Sequence, residues 1–476
     1  MCMERTLISE TPQHIGTMVL LKGWLVSIRD HGGVSFFTMR DATGIVQVVV
    51  TKALRAQYPL LSEWSTVALT GQITERPEKL RNPAMPTGSI EVQAQAIEVL
   101  SVAQPLPLPI DSEGYEITED LRLRYRYLDL RRERIQRNLK TRQQMQDIVR
   151  ESLRAQRFYE IETPLLTKST PEGARDFVVP SRLQPGTFYA LPQSPQQYKQ
   201  LLMVAGFERY FQFARCLRDE DLRADRVLEF TQLDLEMSFT TREEVMALNE
   251  ALLIHLVKTL FPQKHIQELP FPCIDYADAM KLYKTDRPDI RKDKNDPNLL
   301  AFCWVVNFPF FEKTDEGGWT FTHNPFSEPL PEHKKDLLAK KNIEHILTTQ
   351  YDIVLNGSEI GGGSIRAHEP HTLHTVFEIM GFKKDRIQEQ FGHMLEAFTY
   401  GPPPHGGIAW GFDRLVAMLM NEPSIREVIA LPTGGSGKTA IMDAPSPIDP
   451  QQLKELKLSI VHEKKRSSKK KPTKRS

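Results

Sequence analysis

A short loop near the middle of the chain is densely charged. It reads RDEDLRADR over 218–226 and lies between two runs with strand-like alternation, which predicts a β-hairpin. In such a hairpin Arg218 can present its guanidinium fork to a phosphate, and nearby carboxylates can hold a cation or an amino group. The charges alone also fit a solvated hairpin tip. The returning strand, 229–236, favours a site, because it carries polar and acidic side chains in an apolar context.

Three further segments have the composition of ligand-binding loops. Residues 355–366 read LNGSEIGGGSIR, in which three consecutive glycines let a ligand lie directly on the backbone. Residues 170–177 and 191–199 deliver polar groups at short, fixed spacing. These loops and the charged hairpin together predict a binding cavity for a charged molecule.

Size and composition limit the class of protein. The 476 residues suffice for two or three domains, and 40% hydrophobic with 26% charged residues is typical of a soluble globular protein. No run reaches the ~20 apolar residues of a membrane span, and the first residues lack a signal-peptide core, so we expect a cytoplasmic protein. The four cysteines form no CxxC pair, which argues against zinc and a disulfide framework. Residues 461–476 are rich in Lys and Arg and are expected to be a disordered tail.

The regular elements that must position these loops follow in order. Five strands are expected at 19–27, 34–39, 45–50, 65–74 and 89–99, with a helix at 52–57. An OB-fold and another small barrel fit this pattern equally well. A proline-rich linker at 104–109 separates it from a helix at 125–156, a strand ending at Pro164, and a helix at 241–261.

The charged hairpin closely resembles motif 2 of the class II aminoacyl-tRNA synthetases, and its sequence is similar to that of the bacterial type of aspartyl-tRNA synthetase. The helix and strand ending at Pro164 resemble motif 1, and GPPPHGGIAWGFDRL over 401–415 resembles motif 3. The resemblance implies an α+β fold: an OB-fold barrel for anticodon binding (1–103), a hinge (104–130), and a catalytic domain (131–460) with a central antiparallel sheet flanked by helices.

The resemblance also implies an activity, ATP-dependent ligation of L-aspartate to tRNA. Two cations, Lys199 and Arg366, would pair with the side-chain carboxylate of aspartate, and Asp234 with Gln196 would take its ammonium group. The full set of expected aspartate-binding residues is Glu172, Ser194, Gln196, Lys199, Arg218, Asp234, His323 and Arg366.

ATP and Mg²⁺ are the expected co-substrate and cofactor. By resemblance, Arg218 contacts the α-phosphate, Phe230 stacks on adenine and Arg414 reaches the γ-phosphate, while Asp352 and Glu359 hold the metal ion. The expected ATP-binding residues are Arg218, Asp219, Glu220, Phe230, Glu359, Gly411, Phe412, Asp413 and Arg414, and the expected catalytic residues are Arg218, Glu220, Arg366 and Arg414.

The expected macromolecular partners are tRNA and a second copy of the chain. Phe36 would stack on an anticodon base, with Arg29 and Gln47 as hydrogen-bond donors or acceptors. His31 resembles the non-discriminating members of the family, so tRNA(Asn) is a candidate partner beside tRNA(Asp); an incidental polar residue is the alternative. A homodimer would form through the motif 1 region at Pro164.

Three departures from the family pattern stand out. The insertion domain of the bacterial enzymes is absent near 285–301, Asn324 replaces the second of two histidines, and Val227 replaces a glutamine that touches ATP. Two other functions stay open. One is asparaginyl-tRNA synthetase, against which the pair of cations argues, and the other is an inactive RNA-binding paralogue.

Overall fold

A computed structural model describes residues 3–169 and 173–461 of the chain. The chain forms two compact units, one ending at Pro109 and the other beginning at Ile110. The expected residue Glu172 and nearly all of the predicted basic tail lie outside the described residues. Among the helices of the described part, none combines the length and apolar composition needed to cross a bilayer.

The first unit is a closed five-stranded barrel with strand order β1-β2-β3-β5-β4. Alternate residues point inward, so that Leu21, Phe37, Val48 and Leu69 are fully buried while their neighbours face outward. The predicted OB-type pattern of strands and helix is confirmed. Its elements are β1 Met18–His31, β2 Val34–Arg40, β3 Ile45–Thr51, α1 Lys52–Arg55, β4 Thr66–Glu75 and β5 Ile90–Ser101.

The β1–β2 hairpin differs from the prediction in one respect. Strand β1 continues to His31, which pairs with Val34, so the loop consists of Gly32 and Gly33 alone. Gly32 has a φ of 51°, which glycine adopts readily and which suits a two-residue hairpin loop. Arg29 and His31 therefore lie on the strand and not in the turn.

The second unit is organised around an eight-stranded sheet in the order β12-β14-β17-β18-β19-β10-β9-β6. Both edge strands, β12 and β6, pair in parallel with their neighbours, and the strands between them are antiparallel. The predicted α+β class is confirmed, with parallel pairs added at both edges. The strands are β6 Tyr159–Glu160, β7 Val178–Pro180, β8 Phe188–Ala190, β9 Arg209–Leu217, β10 Glu229–Ser238, β11 His265–Ile266, β12 Cys273–Asp275, β13 Leu299–Leu300, β14 Phe302–Val306, β15 Phe311–Lys313, β16 Trp319–Phe321, β17 Tyr351–Leu355, β18 Ser358–Ile365 and β19 His405–Gly411.

Helices cover the sheet and close its core. They are α2 Glu119–Arg124, α3 Arg126–Asp129, α4 Glu133–Ala155, α5 Gln196–Val204, α6 Arg242–Leu260, α7 Tyr276–Tyr283, α8 Lys334–Ala339, α9 Pro370–Ile379, α10 Lys384–Ala397, α11 Phe412–Leu419 and α12 Pro450–Glu455. Helix α6 begins at a capping box formed by Thr241 and Glu244.

The predicted helix at 125–156 is interrupted. Helix α3 ends at Asp129 and α4 begins at Glu133, because Arg132 has an extended backbone with ψ of 138°. Around the interruption, Arg126 and Arg132 both donate to the buried Asp129, each at 2.7 Å. Arg132 also donates to the carbonyl of Ser112 at 2.8 Å.

Candidate active site

Two adjoining cavities lie on one face of the large sheet. The larger has a volume of about 740 Å³ and the smaller about 260 Å³. Both are lined by Arg218 from the β9–β10 hairpin, Gln232 from β10, Glu359 from β18 and Ala409 from β19. The two cavities therefore share one wall, with an arginine and a glutamate in it.

Strand β10 supplies one side of both cavities. Its residues from Thr231 to Met237 are all buried, because one face packs into the core through Leu233 and Leu235 while the other carries Gln232, Asp234 and Glu236. The alternation predicted for 229–236 is thus present, with the apolar residues in the core and the polar residues towards the cavities.

Arg218 occupies the junction of the hairpin loop and the cavities. Its Nε donates to the carbonyl of Gln193 at 3.3 Å, and its guanidinium carbon lies 5.2 Å from the centre of the Phe230 ring. The remaining guanidinium N–H groups can contact an anion, and the ring of Phe230 lines the larger cavity beside it. Two of the expected ATP-binding residues are therefore adjacent.

The other charged residues of the hairpin line the larger cavity. Asp219 is exposed and Glu220 half-buried, and Glu220 forms a weak ion pair with Arg226 at 3.5 Å. Arg414, from the first turn of α11, pairs with Asp225 at 3.2 Å and donates to the carbonyl of Glu359. This rim can exchange its own ion pairs for contacts with phosphates.

Two expected ATP-binding residues belong to the support of the cavity. Phe412 is fully buried, packs edge-on against Phe213 with ring centres 5.0 Å apart, and is not among the residues that line the cavity. The ring of Phe412 therefore faces the core, and a contact of this residue with ATP stays a prediction. Asp413 lines the cavity, but one carboxylate oxygen accepts from the Thr231 N–H at 2.8 Å and the other pairs with Arg142. Gly411 lines the cavity directly.

A buried cluster of four charges lies at the smaller cavity, which is lined by Lys199, Asp234 and Arg366 but not by Glu236. Lys199 lies 2.8 Å from Asp234 and 3.2 Å from Glu236, and Arg366 donates to both oxygens of Glu236 at 2.9 and 3.1 Å. All four side chains are at most 2% exposed. Lys199, Asp234 and Arg366 were expected in this site, but Glu236 was not assigned to it. The alternation from Gln232 and Asp234 along β10 would have pointed to Glu236.

The pKa values of the two carboxylates in this cluster are shifted in opposite directions. Burial raises the pKa of Asp234 to about 6, although Lys199 opposes the shift. Burial acts the same way on Glu236, but Arg366 and Lys199 outweigh it and lower that pKa to about 2. The Oδ1 atom of Asp234 is buried without a hydrogen-bond partner. Such an oxygen beside a cavity suits a donor supplied by a ligand.

Ser194, Gln196 and His323 complete the lining of the smaller cavity. The Ser194 hydroxyl accepts from the backbone N–H of Gln196 at 3.3 Å. His323 packs edge-on against Phe308 with ring centres 4.6 Å apart, and burial lowers its pKa. The structure thus brings together every expected aspartate-binding residue within its described part.

Asn324 has a defined role in the loop after β16. Its carbonyl oxygen accepts from the backbone N–H of Phe326 at 3.0 Å, and its amide donates to Gln350 at 3.1 Å. Gln350 donates in turn to Oδ1 of Asp352 at 2.7 Å. Asn324 thus donates and accepts at once and connects the loop to Gln350.

Asp352 and Glu359 are the expected metal ligands, and their surroundings fit a cation. Both line the smaller cavity, and burial together with the charge of Glu359 raises the pKa of Asp352 well above its usual value. A Cβ atom on Gly362 would lie 2.6 Å from the Asp352 carboxylate, so glycine keeps that side of it clear. Within 3–169 and 173–461, no group of three metal-ligating side chains occurs. Two carboxylates with phosphate oxygens as further ligands match the hard oxygen donors that Mg²⁺ prefers.

The expected anticodon residues share the outer surface of the barrel. Arg29 pairs in register with Phe36, and the Phe36 ring lies edge-on to His31 with ring centres 5.9 Å apart. Gln47, on the neighbouring strand β3, donates to Glu91 at 3.1 Å. An aromatic ring, a cation and an amide on one strand face have the composition of a single-strand binding surface.

The two remaining departures are Val227 and the connector at the place of the insertion domain. Val227 is buried in the main core and also lines the larger cavity. The connector between α7 and β13 is a short loop in which Arg291 forms a two-pronged ion pair with Asp289, at 3.0 and 2.9 Å.

Pro164 is exposed, as are Tyr159, Leu165 and Leu166 near it.

Comparison with known proteins identifies relatives of both units. The family described as class II tRNA synthetases (D, K and N) matches residues 118–434, and an OB-fold nucleic acid binding domain matches 19–100. The aspartate–tRNA(Asp/Asn) ligase of Acidothermus cellulolyticus is 40% identical over 569 aligned positions, covering 93% of this chain and 95% of the relative. The ligase of the same name from Thermosynechococcus vestitus is 39% identical, covering 96% and 97%.

A solved structure shares the fold at lower identity. Asparaginyl-tRNA synthetase from Pyrococcus horikoshii, complexed with asparaginyl-adenylate, superposes with a TM-score of 0.73 at 22% identity, over 90% of this chain and 98% of that one. The alignment with the Acidothermus ligase is longer than the 476 residues of this chain, so that relative carries residues without a counterpart here. On the matched ranges and the identity of about 40%, the chain belongs to the class II aminoacyl-tRNA synthetases.

Proposed function

We propose that the protein is an aspartate–tRNA ligase that binds L-aspartate in the smaller cavity and ATP in the larger, and that uses the ATP to activate the aspartate. The observation that carries the proposal is the buried cluster of Lys199, Arg366, Asp234 and Glu236, with its unpartnered Asp234 oxygen. The two cations suit the side-chain carboxylate of aspartate, and Asp234 suits its ammonium group. Relatives named aspartate–tRNA(Asp/Asn) ligases support the same substrate.

The first half-reaction joins the contents of the two cavities. An oxygen of the aspartate α-carboxylate forms a bond to the α-phosphorus of ATP, the bond from that phosphorus to the bridging β-oxygen breaks, and pyrophosphate leaves. Arg218, which lines both cavities, is the group that stabilises the charge developing on the α-phosphate. Phe230 would hold adenine by stacking and Arg414 would bind the terminal phosphate, with Asp219 and Glu220 at the rim. The enzyme contributes position and charge and needs no acid–base group at the reacting atoms.

The second half-reaction transfers the aspartyl group to tRNA. A hydroxyl of the terminal ribose attacks the aspartyl carbonyl carbon, AMP leaves, and the hydroxyl proton is released. Glu172 matches the acid of the substrate loop in this family and is proposed for aspartate on that resemblance alone.

Mg²⁺ is the proposed cofactor, and Asp352 with Glu359 would hold it. When bound, it neutralises charge on the phosphates of ATP. The raised pKa of Asp352 supports the assignment, because a second carboxylate close to a buried one favours a cation between them.

The proposed partners are tRNA(Asp), and also tRNA(Asn), through Arg29, His31, Phe36 and Gln47 on the barrel. Relatives whose names include both tRNAs support this wider range. A homodimer is proposed through the motif 1 region, because Tyr159, Leu165 and Leu166 are exposed apolar residues around Pro164. The proposed location is the cytoplasm, where tRNA is charged.

Asparaginyl-tRNA synthetase is the second candidate, favoured by the fold of the Pyrococcus enzyme. Asparagine would bring its ammonium group to the buried cluster without a side-chain carboxylate to interact with Lys199 and Arg366, which is costly in a dry site. An inactive RNA-binding paralogue is disfavoured, because Arg218, Glu359, Arg366 and Arg414 all line the cavities.

Amino-acid-dependent exchange of labelled pyrophosphate into ATP, run with aspartate and asparagine side by side, tests the proposal. We expect exchange with aspartate only. Exchange with asparagine alone would move the assignment to the second candidate, and exchange with neither would favour the inactive paralogue.

A further inference from the structure

A chain of hydrogen bonds runs from the smaller cavity into the protein interior. The Nε2 atom of Gln196 donates to Oε1 of Gln200 at 3.0 Å, and Nε2 of Gln200 lies 3.1 Å from Nε2 of His405. The other ring nitrogen of His405 lies 2.8 Å from the carbonyl of Pro403. Gln196 lines the cavity, whereas Gln200 and His405 are fully buried behind it.

The direction of every bond in this chain follows from its inner end. A carbonyl oxygen only accepts, so Nδ1 of His405 carries the hydrogen, and in a neutral ring Nε2 is then an acceptor. Gln200 must donate its amide N–H to that nitrogen, which turns its carbonyl oxygen towards Gln196. The amide nitrogen of Gln196 donates to Gln200, so the carbonyl oxygen of Gln196 is the atom that remains to accept a hydrogen bond from a ligand in the cavity.

The surroundings of His405 keep its ring neutral. Burial lowers the pKa of His405 to about 4, with Arg366 and His368 acting in the same direction. Glu236 and the Pro403 carbonyl oppose the shift and are outweighed. At neutral pH the ring therefore accepts at Nε2, and the orientation of both glutamines is fixed.

We propose that Gln200 and His405 are positioning residues that hold the amide of Gln196 with its oxygen towards the ammonium group of the substrate. The inference rests on the proposed binding of aspartate in this cavity. A reversed Gln196 amide would aim N–H groups at an ammonium group and repel it, so selection for an α-amino acid depends on residues that do not touch the substrate.

The test compares aspartate with succinate, which has the same two carboxylates and no ammonium group. In Gln200→Leu, we expect the KM for aspartate in pyrophosphate exchange to rise about tenfold or more, as for a lost hydrogen bond to a charged group. The inhibition constant of succinate and the KM for ATP should be unchanged. Gln197→Leu, the same change three positions earlier on α5 and outside the chain of bonds, is the matched control and should leave all three constants unchanged.

Two variants of His405 provide an independent measurement. Gln at 405 can offer an acceptor oxygen near the position of Nε2, whereas Leu cannot, so His405→Gln should retain more aspartate affinity than His405→Leu. Equal losses for aspartate and succinate in Gln200→Leu, or an unchanged KM for aspartate, would overturn the inference. Aspartate-dependent exchange by the unmodified enzyme is measured first, and its absence would instead refute the proposed function.

Discussion

Aspartate activation should be lost on acidification through the titration of Asp234. Burial raises the pKa of this carboxyl to about 6, and one of its oxygens has no partner before substrate binds. Only the ionised form can neutralise the substrate ammonium. The value of kcat/KM for aspartate reports the free enzyme, so it should fall about tenfold between pH 7 and pH 5.

Free aspartate, Glu236 and His405 do not produce this decrease, and the Asp234→Asn control separates Asp234 from Asp352, whose pKa is also raised. The carboxylates of free aspartate titrate below about pH 4, the pKa of Glu236 is about 2 and that of His405 about 4. Protonation of Asp234 also leaves the buried cluster with two cations and one anion, which disfavours a further cationic group.

Pyrophosphate exchange at limiting aspartate and saturating ATP, between pH 5 and pH 8, measures the effect. Asp234→Asn is the control, and its lower kcat/KM should no longer depend on pH across this range. A flat profile for the unmodified enzyme down to pH 5, or the same decrease in Asp234→Asn, would refute the reasoning.

Three further predictions concern stacking, tRNA range and stability. Phe230→Ala should raise the KM for ATP about tenfold or more through lost stacking of ~1–3 kcal/mol. Phe412→Leu should instead lower the midpoint of thermal unfolding and leave the KM for ATP unchanged. The reverse pattern would place Phe412, and not Phe230, against ATP. Replacing His31 by leucine should narrow charging towards tRNA(Asp), measured by aminoacylation of both tRNAs, and unchanged charging of both would contradict its role. Glu427 is a buried carboxylate that pairs with Arg122 at 2.6 Å and Arg134 at 2.8 Å. Burial raises its pKa, but these two arginines outweigh burial and lower the pKa to about 2 from an ordinary 4.5. Its stabilisation is therefore present above pH 4.5 and is lost as pH falls towards 2, so Glu427→Gln should cost on the order of 3 kcal/mol at pH 7 in urea unfolding and less at pH 3; an equal cost at both would exclude an electrostatic origin.

Local patterns were sufficient to predict the barrel and the β9–β10 hairpin. In the barrel each strand has one buried face, so the period of two is visible in the sequence. The same alternation predicted an inward carboxylate at Asp234. These features depend on neighbouring residues alone.

Features that depend on distant partners were not predicted. Glu236 follows the alternation of Gln232 and Asp234, but its pairing with Arg366, 130 positions away, is not contained in any local pattern. Phe412 lies within a segment typical of ATP binding, yet its ring packs on Phe213 from β9. At the break before α4, Arg132 donates to the carbonyl of Ser112, 20 positions away, a contact that helical periodicity does not contain.

The common wall of the two cavities affects how long the reaction intermediate stays bound. Aspartyl-adenylate would occupy both cavities at once, since its two halves meet at the wall that contains Arg218 and Glu359. Release would require both sets of contacts to break together, because either half alone keeps the other at high effective concentration. The intermediate should thus outlast either substrate on the enzyme. A stable mimic that joins the two halves should bind more tightly than aspartate and ATP do separately.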